Sequence, residues 1–242
     1  MQRRSTGWQR GTTMSKTLYL ECYSGISGDM TVAALLDLGA DREVLKESLK
    51  SLPVGGFRTE ITRVKKSGLD ACDFSVILEQ DNHDHDIEYL HVSEKSYTGH
   101  HEHSHEVNHE HHHGHTHSHE HPHEHRGMKE ITEIIQKSEM TARAKKMAMR
   151  VFDILAQAES KAHGVPVEEV HFHEVGAVDS IVDIAAIAIC MDNLDISNVI
   201  VPVLYEGTGF IRCQHGQIPV PVPAVTHIAE THKLKLKITD IQ

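Results

Sequence analysis

Cysteine is scarce and scattered in this sequence. The four cysteines, Cys22, Cys72, Cys190 and Cys213, lie far apart and form no CxxC pair. Disulfide-stapled small folds and thiolate zinc sites use closely spaced cysteines, so neither is indicated. Free thiols in this number fit the reducing environment of the cytoplasm, which is the expected location.

Positive charge is also in short supply. Lys and Arg number 24 against 35 Asp and Glu, which gives a formal net charge of −11. No stretch gathers basic residues with aromatic ones, whereas proteins that bind phosphate backbones cluster Lys and Arg. Nucleic acid is therefore not expected as a partner.

Long apolar runs are missing as well. The longest, Ile184 to Met191, is far shorter than the roughly 20 residues that cross a bilayer. The N-terminal arginines are not followed at once by an apolar segment, so no signal peptide and no membrane contact are expected. Met14 directly precedes the first strand-like segment. Residues 1–15 are therefore expected to be a disordered extension.

Apolar periodicity and turn residues divide the rest of the chain into helices and strands. The fold class expected is α/β (mixed α+β), a mixed sheet flanked by helices. Residues 16–80 and 128–242 are expected to be two parts of one such domain. The pattern predicts strands over Thr17–Cys22, Phe57–Val64, Cys72–Leu78, Val199–Leu204 and Leu234–Thr239, and helices over Met30–Leu38, Arg42–Leu52, Met128–Lys137, Thr141–His163, Ile181–Met191 and Ala224–Thr231.

Histidine is the residue in excess, with 23 in the chain. Fourteen of them fall in the tract from His100 to His125, alternating with glutamates. The surrounding segment 81–127 has too little apolar content to offset its ordering entropy, so we expect a disordered, mobile insertion. Imidazole suits nickel, zinc and copper, and metal binding is favoured over a repeat expansion without function. The expected ligands are His101, His103, His105, His111, His113, His115, His117 and His119.

A second set of candidate ligands runs from His171 to Asp183. On an extended segment His171 and His173 share one face, and on the following helix Asp179 and Asp183 share another. With Glu174, these side chains could converge on one divalent cation. The structural alternative is that Ser180 to Asp183 forms a capping box, which would make Asp183 a helix cap. The motif is not HExxH, so zincin chemistry is not implied.

Two glycine-containing loops complete the candidates. Ser24, Gly25, Ser27 and Gly28 lie between a strand and a helix, where backbone N–H groups can bind phosphate. GxGxxG and GxxxxGK[ST] are both absent, and Asp29 would repel phosphate unless a metal lay between them. A tight turn capped by Ser27 or Asp29 is the alternative. Farther along, Gly207 and Gly209 allow close approach of the backbone to a ligand, and His215 could act as an acid, a base or a ligand. For this last segment a structural turn is equally consistent with the pattern.

Taken in order, these stretches resemble the LarC family, the nickel-insertion proteins of nickel-pincer cofactor synthesis. The resemblance extends from about Lys16 to the last residue. Each motif alone is modest, but four in order are highly specific. The matching segments are Leu18 to Met30, the His-rich insertion, His171 to Asp183, and Gly207 to Gly209 with His215 to Pro221.

The resemblance implies a reaction. Nickel is placed into a pyridinium-3,5-bisthiocarboxylic acid mononucleotide, with bonds to two sulfurs and to a ring carbon. CTP is consumed with magnesium or manganese, the substrate is activated as a cytidylyl adduct, and the product serves lactate racemase. The protein would then be a nickel chelatase (a cyclometallase of the lyase class).

Within that reaction, the residue patterns described above supply the candidates for each role. His171, His173, Asp179 and His215 are the expected catalytic residues. Ser24, Gly25, Ser27, Gly28, Gly207 and Gly209 are expected to contact the mononucleotide. An ordered cation site is expected from His171, His173, Glu174, Asp179, Asp183 and Asp29.

Family members continue into a C-terminal domain associated with CTP binding, in some cases encoded in a separate frame. The sequence here corresponds to the part before it, so a separately encoded C-terminal part is an expected partner, without which the chain is expected to be inactive. A homo-oligomer stays open. Two other functions are considered: a nickel metallochaperone or storage protein, and a metal-dependent hydrolase in which His171, His173, Asp179 and Asp183 activate water.

Overall fold

A computed structural model describes residues 16–79, 126–172, 175–213 and 216–240. Helices and strands alternate over these residues, so the predicted α/β (mixed α+β) class is confirmed. The predicted N-terminal extension, and the predicted insertion up to residue 125, lie outside the described residues.

The helices begin and end where the sequence carries start and stop signals. The Thr141 hydroxyl accepts a hydrogen bond from the Ala144 N–H at 3.0 Å and caps the longest helix, which Gly164 ends in the left-handed conformation. The last helix starts at Pro223, a position where no backbone N–H is required. The described helices are α1 (Gly28–Asp37), α2 (Arg42–Lys50), α3 (Met128–Lys137), α4 (Ala142–His163), α5 (Val178–Asn193) and α6 (Pro223–His232).

The strands pair two by two in several small sheets. Among the described residues, β1 pairs with β6 and β7 pairs with β10 in parallel, while β2–β3, β4–β5 and β8–β9 are antiparallel. The strands are β1 (Lys16–Tyr19), β2 (Phe57–Lys66), β3 (Leu69–Leu78), β4 (Arg126–Gly127), β5 (His171–Phe172), β6 (Ile196–Ile200), β7 (Leu204–Glu206), β8 (Gly209–Cys213), β9 (Gly216–Val220) and β10 (Leu236–Ile238).

One strand prediction was wrong in detail. The single strand expected over Val199–Leu204 is divided into β6 and β7, and Pro202, which has no N–H to donate, lies in the break. The strands β2 and β3 form an antiparallel hairpin with ten register pairs from Phe57 to Lys66, and among the described residues neither pairs with β1.

Helix α5 lies at the centre of the core. Its Ile181, Val182, Ala185 and Ala186 are fully buried, as the apolar sequence of this helix predicts. Helices α1, α2 and α4 pack against it. None of the described helices is long and apolar enough to cross a bilayer. Asp179 and Asp183 lie in the first two turns of α5, so two acidic side chains belong to the helix at the centre of the core.

Candidate cation site

The loop that follows β1 places Asp29 in the first turn of α1. Ser27 is the N-cap residue by its backbone, but its side chain makes no capping hydrogen bond, so of the two predicted caps the one by Ser27 was wrong. The Ser27 hydroxyl donates instead to Asp29 Oδ1, which also accepts from the Met30 N–H at 2.8 Å. These bonds hold the Asp29 carboxylate at the N-terminus of α1, where the positive end of the helix dipole favours negative charge.

Asp183 of α5 lies directly against Gly28 of α1. A Cβ atom placed on Gly28 would lie 2.8 Å from both Cβ and Cγ of Asp183, so only glycine allows the two helices to approach this closely. The backbone N–H of Asp29 donates to the Asp183 carboxylate. Its other oxygen, Oδ1, is sealed from solvent and has no hydrogen-bond partner among the described residues.

The carboxylates of Asp29 and Asp179 act electrostatically on Asp183 between α1 and α5. Burial, together with the negative charges of Asp29 and then Asp179, raises the pKa of Asp183 to about 7, against the lowering effect of the Asp29 N–H. A charged carboxylate with an unpaired buried oxygen is costly unless a cation or proton compensates it. The arrangement therefore has the electrostatic character of a cation-binding site.

The alternative role of Asp183 as a helix cap was wrong. Helix α5 has Ala177 as its N-cap and begins at Val178, two residues before Ser180, so Asp183 lies in its second turn. Asp179 Oδ1 accepts from the Ser180 N–H at 2.8 Å. The predicted shared face of Asp179 and Asp183 is confirmed by the effect of Asp179 on the pKa of Asp183.

His171 lies on β5, where it pairs with Gly127 of β4 and is exposed. The N–H groups of Glu130 and Gly127 lower the pKa of Glu130, with Lys129 and then His171 making smaller contributions, and His171 is not among the groups that shift the pKa of Asp183. His173 and Glu174 lie outside the described residues. Within the described ranges, no three His, Cys, Asp or Glu side chains are arranged to hold a metal ion.

The two glycine-containing loops lie at one edge of the parallel strands. Ser24 and Gly25 follow β1, and Gly207 and Gly209 follow β7, while Cys22 pairs in parallel with Leu204. Both loops therefore extend from the carboxyl ends of neighbouring parallel strands, the edge at which open α/β sheets bind ligands. His215 and the histidines of the tract (His101, His103, His105, His111, His113, His115, His117 and His119) lie outside the described residues.

Two positioning contacts were not predicted from the sequence. Arg126 of β4 donates to the Gly176 carbonyl at 2.9 Å and so holds the loop that leads into α5. A Cβ on Gly176 would lie 2.5 Å from the Phe172 carbonyl oxygen. The glycine in Val175-Gly176-Ala177 is a local signal for a tight turn, but the long-range arginine contact has no local signal.

Known proteins similar to this chain share one description. The family model described as "Nickel insertion protein" matches residues 18–242. A pyridinium-3,5-bisthiocarboxylic acid mononucleotide nickel insertion protein of Alkaliphilus metalliredigens is 52% identical over 94% of this chain and 48% of its own length. Proteins of the same name from Clostridium acetobutylicum and Acetivibrio thermocellus are 43% and 34% identical, over 94% and 93% of this chain and 52% and 48% of their own lengths.

The chain thus spans about half the length of these curated relatives. No solved structure gives a significant match.

Proposed function

Because this chain belongs to the nickel insertion protein family, we propose that it takes part in inserting nickel into pyridinium-3,5-bisthiocarboxylic acid mononucleotide. The observation that carries the proposal is the match over residues 18–242 together with relatives of that name at up to 52% identity. Nickel is a substrate of this reaction, to be bound, positioned and released into the product.

We propose that the carboxylates of Asp29, Asp179 and Asp183 move together around a divalent cation when it binds with its nucleotide, since in the described ranges they are not already arranged to hold one. The support for this is the unpaired buried oxygen of Asp183 beside two further negative charges. An all-oxygen donor set suits magnesium or manganese better than nickel, which favours imidazole. We therefore assign the aspartates to the cation that accompanies CTP, and His171 and His173, with Glu174, to nickel.

The sheet edge that carries the two glycine-containing loops supports a binding site for the mononucleotide. Ser24, Gly25, Ser27 and Gly28 offer backbone N–H groups at the start of α1, and Gly207 and Gly209 leave room on the neighbouring strand end. A cation on Asp29 and Asp183 would remove the repulsion between Asp29 and a phosphate group. His215 follows the second loop and would exchange protons with the bound substrate.

The finer features of the reaction follow from the family resemblance. We propose that CTP is consumed with magnesium or manganese, that the product serves lactate racemase, and that the activity is that of a nickel chelatase (lyase class) in the cytoplasm. We also propose that the chain alone does not complete the reaction, because its relatives are about twice as long.

A nickel storage or metallochaperone role is the second candidate. The fourteen histidines between His100 and His125 favour it, because such a tract binds metal without an ordered site. The two functions make different demands on the aspartates. Storage by the tract does not need Asp183, whereas insertion does.

Reconstitution tests the proposal. The chain, together with the remaining half of the Alkaliphilus metalliredigens relative, would be incubated with nickel, CTP, magnesium and the mononucleotide, and activation of apo lactate racemase measured. We expect activity with the complete set and at least a tenfold loss in Asp183→Asn, as for removal of a charged ligand group. Asp70→Asn, on the exposed hairpin, is the matched control.

Nickel bound to the chain without any racemase activation would favour the storage role. Full activity of Asp183→Asn would show that the aspartates are not the cation site. Loss of activity in a His171→Ala, His173→Ala double variant that still binds most of its nickel would support the division between tract and site.

A further inference from the structure

The parallel strands are arranged so that one face of their sheet has no helix over it in the described part of the chain. β1 pairs with β6 at Tyr19–Ile200, and its continuation at Cys22 pairs with Leu204 of β7. β6 and β7 thus follow one another along the same side of β1, and β10 pairs with the opposite edge of β7. The order is β1, then β6 and β7, then β10.

The connection from β1 to β6 and the connection from β7 to β10 are both parallel crossovers. Each moves across the sheet by one strand in the same direction. Parallel crossovers are right-handed, so two successive ones in the same direction carry their helices over the same face of the sheet. The packing agrees, because α6 contacts α4, and α4 and α1 contact the central helix α5. All of these helices therefore lie on one side.

Burial along β1 alternates as this arrangement requires. Leu18 and Cys22 are 8% and 3% exposed and belong to the helix-covered side, which is less shielded along β6, where Val199, the register partner of Leu18, is 41% exposed. Tyr19 and Tyr23 are each 54% exposed on the opposite side, and Glu21 between them is exposed. The charge of Glu21 and the neighbouring Tyr19 both raise the pKa of the Tyr23 phenol, which places the three side chains together.

The neighbouring strands extend this surface. Ile200, the register partner of Tyr19, is 45% exposed. The Tyr23 and Tyr205 rings meet edge to face with centroids 5.4 Å apart, and Lys237 Nζ lies 4.8 Å from the centre of the Tyr205 ring. We name Tyr19, Tyr23, Ile200, Tyr205 and Lys237 the open face.

Parallel sheets occur almost only with both faces covered, and contiguous exposed apolar surface of this kind marks an interaction site. The relatives carry, in the same chain, about as much polypeptide again as this chain covers. We propose that the open face binds that remaining half of the relatives, through an apolar contact centred on the two tyrosines and Ile200. A second copy of this chain is the alternative occupant of the open face. It is less favoured, because in the relatives the two halves belong to one chain, and this linkage keeps them at high effective concentration.

Co-expression tests the proposal without requiring either part to fold alone. The tagged chain would be produced with the remaining half of the Alkaliphilus metalliredigens relative, and the ratio of the two polypeptides measured after purification. We expect an equimolar complex with the native sequence and at least a tenfold smaller share of the second half with Ile200→Glu, because a buried unpaired charge weakens an interface strongly. Leu69→Glu is the matched control, since Leu69 is 73% exposed at the tip of the β2–β3 hairpin.

Hydroxyl-radical footprinting supplies a readout that needs no variant. Tyr19 and Tyr23 should become at least severalfold less reactive in the complex than in the chain alone, while Leu69 should not change. If Ile200→Glu fails to fold, judged by its circular dichroism against Leu69→Glu, then Tyr19→Lys takes its place.

Three results would overturn the proposal. The first is absence of a complex with the native sequence, and the second is an equimolar complex that Ile200→Glu leaves intact. The third is a dimer of this chain alone, seen by sedimentation and abolished by Ile200→Glu, which would assign the open face to a second copy.

Discussion

Replacing Asp183 with asparagine should make the metal-free protein more stable in mildly alkaline solution. In the folded protein, burial and the charges of Asp29 and Asp179 raise the pKa of Asp183 to about 7, whereas an aspartate in an unfolded chain has a pKa of about 3.9. The folded state therefore binds the proton more tightly. Stability falls as the pH rises from about 4 to about 7, and the full penalty is present above that range.

The difference of about 3 pKa units corresponds to roughly 4 kcal/mol at about 1.4 kcal/mol per unit. Asp183 is only partly buried, and solvent screens charge at such a site, so we expect about 1–2 kcal/mol of stabilisation in Asp183→Asn. For a protein of this size that is a rise in Tm of about 5 °C. Urea unfolding in EDTA at about pH 8 and about pH 5 measures it, and the gain at the lower pH should be about a third of that at the higher pH.

Magnesium should make the native protein more stable than Asp183→Asn, the reverse of their order in EDTA. A cation that binds only the folded state adds about 2.7 kcal/mol when its concentration is a hundred times its Kd. We expect the native protein to gain this stability and Asp183→Asn to gain little. An Asp183→Asn protein that is no more stable than the native one at about pH 8 in EDTA, or that responds equally to magnesium, would refute the reasoning.

Three further predictions concern the contact between α1 and α5, the ion pair of Asp37, and the His-rich insertion. Gly28→Ala should lower the free energy of unfolding by about 1–3 kcal/mol through overpacking against Asp183, measured by urea unfolding, and an unchanged midpoint would show that α1 can shift freely. Asp37→Asn should destabilise the protein at neutral pH, because the Cys72 N–H and then Arg63 stabilise the charged Asp37 carboxylate and so lower its pKa. The stability that Asp37 contributes is lost as the pH falls through its lowered pKa, so the substitution should have no effect in acid. A series of unfolding midpoints measured against pH tests this direction. Deleting residues 81–125, which spares Arg126 of β4, should leave a folded protein with fewer bound nickel ions at neutral pH, counted by equilibrium dialysis, and unchanged stoichiometry would exclude a storage role for the tract.

The helices could be predicted from the sequence because their signals are local. Thr141 and Gly164 mark the two ends of α4, and Pro223 marks the start of α6, each directly at the helix end that it signals. The shared face of Asp179 and Asp183 follows from the helical repeat alone. These features need no knowledge of what the helix packs against.

The contact between Gly28 and Asp183 could not be predicted in this way. It depends on the angle and distance at which α1 meets α5, and these are set by core packing over the whole domain. The open face had a partial signal. Leu18, Leu20 and Cys22 alternate with Tyr19, Glu21 and Tyr23, a period of two that separates a buried face from an exposed one.

The pairing of β1 with β6 also determines when the protein can fold. Asn198 and Thr17, which meet across this pair, are 181 residues apart in the chain. During synthesis β1 leaves the ribosome before its partner, and its backbone groups stay unpaired until β6 has also emerged. Pairings of such long sequence separation are slow to form and leave strand edges open to aggregation in the meantime. The yield of native protein should therefore depend on translation rate and on chaperones more than on the final stability of the fold.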